Sequence, residues 1–178
     1  MRSSHRALAS AFVGSALALA SRAARAEEAF LPSVHLGLGP AFHIEPRDER
    51  ATQLGFDATA GVLYTDRKAG VFDTNVFLGL EAGYAYDGLG MHALAVTPTV
   101  GYGVPLAFLA YQPRLLVGDV DGATAIGMRN GLAMHLFLAL GSLEIGHQFV
   151  SFEGELHHSL QLTFAVNPGI FLAAIAED

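Results

Sequence analysis

Eight stretches of this chain alternate large apolar residues with small or polar ones, residue by residue, for longer than an ordinary strand lasts. In FDTNVFLGLEAGYAYDG (72–88), Phe72, Val76, Leu78, Leu80, Ala82, Tyr84 and Tyr86 share one parity. Asp73, Asn75, Gly79, Glu81, Gly83 and Asp87 share the other, with Phe77 as the one large exception. Successive side chains of a β-strand point to opposite faces, so such a stretch is a two-faced ribbon. The same pattern sets Val34, Leu36, Leu38, Phe42 and Ile44 against His35, Gly37, Gly39, Ala41 and His43, and Leu54, Phe56, Ala58, Val62 and Tyr64 against Gln53, Asp57 and Thr59. It sets Leu94, Val96, Val100 and Tyr102 against Ala95, Thr97 and Thr99, and Leu109, Tyr111, Leu115 and Val117 against Gln112 and Arg114. Ile126, Met128, Leu132 and Met134 oppose Arg129 and His135; Leu143, Ile145 and Phe149 oppose Glu144 and Gln148; Leu160, Leu162, Phe164 and Val166 oppose Gln161 and Thr163. Most of these ribbons exceed the usual strand length of about 5–6 residues.

Short connectors separate them: PRDER (46–50), TDRKAG (65–70), DGLG (87–90), VP (104–105), GDVDGA (118–123), LALG (138–141) and FEGELH (152–157). Most combine Gly or Pro with Asp, as tight turns require. Connections this short force antiparallel neighbours, so the pattern predicts an all-β, eight-stranded antiparallel up-and-down barrel over residues 33–167.

The minority face decides what surrounds the barrel. A solvated face carries many charges, yet the strands hold no lysine, and Arg114 and Arg129 are their only cations. Gly, Ala, Thr, Asn and Gln instead suit the narrow inside of an eight-stranded barrel. The apolar face, with Tyr64, Tyr84, Tyr86 and Tyr102 near strand ends, suits lipid with an interfacial aromatic girdle. Only helices and closed barrels satisfy every backbone group in hydrocarbon, so the reading is a transmembrane β-barrel.

Residues 1–26 read as a cleavable signal peptide: Arg2 and Arg6, an apolar run over Ala7–Ala20, then Ala24-Arg25-Ala26 as the small-x-small site. Residues 27–32 read as a lead-in and 168–178 as a tail. Cleavage would remove four of the ten basic residues and none of the 17 acidic ones, leaving a net charge of −11. An acidic chain without basic clusters argues against a nucleic-acid partner. With no cysteine, no disulfide holds the exported fold together.

With the export signal and eight ribbons in view, the chain resembles the small eight-stranded bacterial outer-membrane β-barrels, of the outer-membrane protein A and X type. The resemblance implies an outer-membrane location in a Gram-negative-type envelope, contact with lipid and lipopolysaccharide, insertion by assembly machinery, and a monomer. In that family the last strand commonly finishes on an aromatic residue. This chain ends NPGIFLAAIAED, which leaves Phe164 or Phe171 for that part.

Among residues that could carry chemistry, the inward charges come first. Asp57, Asp73, Glu81 and Glu144, with Arg114 and Arg129, are expected to form a lumen ion-pair network, the arginines meeting Glu81 or Glu144. A second set is His147, His157 and His158 with Glu153 and Glu155. Adjacent His157 and His158 point to opposite strand faces, which is poor for a shared metal, and no metal or cofactor is expected. His157 and Ser159 resemble the His-x-Ser pair of barrel-type lipid A deacylases, although the surrounding sequence does not match that family. GDVDGAT (118–124) lacks the further acidic ligands of an EF-hand calcium loop and reads as an Asp-Gly turn. The expected role is structural or surface-interaction without catalysis. The alternatives are a lipid-A-modifying enzyme and a soluble periplasmic lipid-binding barrel.

Overall fold

The computed structural model describes residues 30–45, 52–65, 72–88, 90–137 and 139–169. The expected signal peptide, the PRDER connector and most of the carboxy-terminal tail lie outside them. Eight strands form one closed antiparallel barrel in chain order: β1 (Phe30–Glu45), β2 (Thr52–Tyr64), β3 (Asn75–Tyr86), β4 (Met91–Val104), β5 (Ala107–Val120), β6 (Ala123–Leu136), β7 (Gly141–Phe152) and β8 (Glu155–Val166). β8 pairs back onto β1, so neither has a free edge. Following paired residues around the wall from Val34 through Ala60, Ala82, Val96, Leu115, Met128, Phe149 and His158 returns to β1 at Glu45. That is eleven residues further along, one of them the extra residue of an irregularity between His43 and Glu45. The remaining stagger of ten fixes the tilt of the strands and a lumen only wide enough for side chains.

Turn chemistry explains where strands stop. Asp121-Gly122 joins β5 to β6 with φ of 51° and 88°, and Glu153-Gly154 joins β7 to β8 with φ of 54° and 81°. Both are the two-residue primed turns whose twist matches the flanking strands. β3 begins later than its alternation suggests. Its ladder with β4 ends at Asn75 opposite Gly103, because β4 finishes at Val104 and Pro105 opens the next turn. Phe72 and Asp73 therefore lie before the strand and are exposed, which corrects the placement of Asp73 in the lumen. β1 likewise takes in residues 30–32, expected as lead-in, because Phe30, Leu31 and Pro32 pair with Tyr64, Leu63 and Val62.

Most small and polar residues point inward and most large apolar ones outward, the exceptions including the large residues that plug the two ends. The lumen has three layers. At the end where β1 begins and β8 finishes, Leu63, Phe77, Phe108, Ala110 and Ala139 form an apolar plug. Phe77 stacks on Phe108 with ring centroids 3.9 Å apart, and Phe108 stacks on His135 at 4.6 Å. At the far end Ala85, Met91, Ala93, Ala95, Leu116, Ala125 and Val150 form a second plug. Between them lies a polar middle of buried Asp57, Glu81, Arg114, Arg129, Glu144 and Gln148.

Candidate functional site

The strand register creates an electrostatic problem at the centre of the lumen. Arg114 of β5 and Arg129 of β6 are direct cross-strand partners, both pointing inward and both 1% exposed. Like charges placed opposite one another repel. Two carboxylates resolve this. Arg114 Nη1 donates to Asp57 Oδ2 at 2.8 Å, and Arg114 Nη2 donates to Glu144 Oε2 at 3.4 Å. Arg129 Nη1 lies 3.8 Å from Asp57 Oδ2 and 4.0 Å from Glu144 Oε1. The four side chains make an alternating ring of two guanidinium and two carboxylate groups, and His35 Nε2 approaches Asp57 Oδ1 at 3.5 Å.

Glycines leave room for the ring. A Cβ on Gly37 would fall 2.7 Å from Asp57 Oδ1, and one on Gly131 would fall 2.4 Å from Glu144 Oε1. One on Gly146 would fall 2.8 Å from Arg129 Cδ. Each of these three glycines thus faces a charged side chain that occupies the space its own would take.

Amides extend the network toward the far end. Arg129 Nε and Nη2 both donate to Gln148 Oε1 at 3.2 Å. Gln148 Nε2 donates to Asp87 Oδ2 at 3.0 Å, and Gln161 Nε2 donates to Gln148 Oε1 at 3.0 Å and to the Asp87 carbonyl at 3.3 Å. Asp87 also closes the β3–β4 turn, accepting from the Met91 amide at 3.0 Å. A turn residue therefore braces β7 and β8 across the barrel. Toward the other end, Glu81 accepts hydrogen bonds from Ser33 Oγ and from Thr59 Oγ1, the latter at 2.7 Å.

Of the residues singled out from sequence, Asp57, Glu144, Arg114 and Arg129 meet in this ring. Glu81 is inward but is held by hydroxyls, and Asp73 is outside. Tyr64 and Tyr102 face outward near the end carrying the strand termini of β1 and β8, and Tyr84 and Tyr86 face outward near the opposite end. His157 stacks on Phe152 at 4.3 Å, with Nε2 3.9 Å from Glu155 Oε2. Ser159 is buried two residues further along the same face, and His157 Nε2 makes no hydrogen bond, so the two do not form a paired base and nucleophile. Among the described residues no group of His, Asp or Glu is placed to hold a metal ion. Asp87, Gln148, Gln161, His35 and His135 share the inward parity in the sequence but are not among the residues expected in the ion-pair network, because parity gives the face and not the partner.

Comparison of the chain with protein-family models, curated proteins and solved structures found no match.

Proposed function

We propose that the protein is an exported outer-membrane β-barrel with a structural or surface-interaction role, a side-chain-filled lumen and no catalysis. Its partners are outer-membrane lipid, lipopolysaccharide and the machinery that inserts it. The observation that carries this reading is the outward belt. Leu94, Leu109, Leu132 and Ile145, on four successive strands, are 58%, 66%, 61% and 57% exposed, and similar residues continue around the wall. Soluble monomers rarely expose a contiguous apolar patch beyond a few hundred Å². The polar groups are turned inward, the inverse of a water-soluble barrel.

Strand length supports the same reading. The shortest strands have 12 residues. At about 3.4 Å per residue and about 40° of tilt, such a strand stands about 31 Å tall, enough for an apolar band of about 25 Å. No helix among the described residues is long and apolar enough to cross a membrane.

The test is cell fractionation of the full chain with a gel run on heated and unheated samples. The expected result is recovery with the outer membrane, release only by detergent, and a heat-dependent change in mobility. Recovery in the periplasmic fluid without detergent would overturn the proposal.

A further inference from the structure

Among the described residues the apolar belt has one polar interruption away from its rims. Halfway along the wall, the register places Pro113 of β5, Asn130 of β6 and His147 of β7 side by side, all on the outward face. Asn130 Oδ1 accepts a hydrogen bond from Tyr111 Oη at 2.7 Å, while its Nδ2 has no partner among the described residues. The His147 ring lies against Phe149 at 4.3 Å and against His158 of β8 at 5.6 Å, and its nitrogens make no hydrogen bond there. Polar hydrogen-bonding groups facing hydrocarbon are costly unless another molecule satisfies them.

We infer that the strip formed by Tyr111, Asn130, His147 and His158 is the face on which two copies of this chain pair within the membrane, in place of the monomer that the family resemblance implies. The inference rests on the membrane reading above. Depth selects the occupant. Asn130 is seven residues from the start of β6 and six from its end, so each rim is about 15 Å or more away along the membrane normal. Lipid headgroups do not reach that depth in a hydrocarbon core about 30 Å thick. A protein side chain carried on a neighbouring wall does. Self-pairing suits the chemistry: a carboxamide carries two N–H donors as well as an acceptor oxygen, and an imidazole ring carries two nitrogens able to hydrogen-bond. A two-fold axis through the strip therefore lets each copy satisfy the other with the same residues.

The chain contains no cysteine, so one introduced thiol reports contact cleanly. Leu132 lies beside Asn130 on the same face, whereas Leu80 projects outward from β3, across the barrel. In native outer-membrane vesicles, mild oxidation of Leu132→Cys is expected to give several-fold more disulfide dimer than Leu80→Cys. Adding Asn130→Leu and His147→Leu should lower the Leu132→Cys yield to the Leu80→Cys level. Heat-dependent gel mobility verifies that each variant is folded. Equal yields from both walls, an unchanged yield after the two substitutions, or a monomer that co-purifies only with lipid would overturn the pairing. In those three outcomes the protein still fractionates with the outer membrane, so the membrane reading survives. Recovery in the soluble fraction would instead remove the premise and the pairing together.

Discussion

Arg114 shows how much one residue can hold in so narrow a space. It is the shared cation of Asp57 and Glu144, and its replacement by Leu would leave two carboxylates buried without it. The expected loss is about 3–5 kcal/mol of folding stability, read as a lower urea midpoint for the heat-modifiable band in detergent. The double variant Arg114→Leu/Asp57→Asn should lose less than the two single losses added together, because it removes one of the stranded charges with the cation. The inward glycines give a second ordering. Gly131→Ala pushes against a carboxylate that can shift slightly, and about 1–3 kcal/mol is expected. Gly39→Ala should be worse, since its Cβ would fall 1.7 Å from the Leu162 backbone carbonyl and force β1 away from β8. The same denaturation series checks both, and a Gly39→Ala protein as stable as Gly131→Ala would contradict the placement of the seam.

Among the elements, the two-residue turns isolate backbone preference from packing. Nothing lies within 4 Å of a Cβ built on Gly154, whose φ is 81°, so Gly154→Val should cost about 1–2 kcal/mol through the left-handed backbone alone. Glu153, with φ of 54°, is the reverse case: Glu153→Asn should raise the midpoint slightly, because Asn tolerates that region. The strands were legible because a period of two needs no tertiary knowledge, and Val34, Leu94 or Ile126 declared their faces directly. Strand ends were less so. Alternation runs on through Phe72 and Asp73 although the neighbouring strand has already turned, and the sequence of β3 does not record where β4 stops. Lumen partners were hardest to read. Arg114 meets Asp57 across 57 residues of chain, a pairing set by the register of the four strands from β2 to β5. The arginines were expected to meet Glu81 or Glu144; Arg114 meets Glu144, while Glu81 takes Ser33 and Thr59.

For the whole molecule, the layered lumen predicts electrical silence. Both plugs are built from side chains in contact, and a charged ring fills the space between them. Reconstituted into planar bilayers, the protein should show no resolved current steps, and Leu116→Ala or Phe108→Ala should stay silent because the opposite plug is intact. Steps from the unaltered chain would contradict the sealed interior. The wall itself ends on a latch. Past the last paired residues, Asn167 Oδ1 accepts from the Val34 amide at 2.9 Å, Asn167 Nδ2 donates to Ser33 Oγ at 2.8 Å, and its own amide donates to the Leu140 carbonyl at 2.8 Å. The earliest strand to be delivered thus finds its final neighbour only when residue 167 arrives. During that interval the first hairpin carries an open hydrogen-bonding margin that any stray strand could occupy, and the exposure ends only when the cylinder fastens.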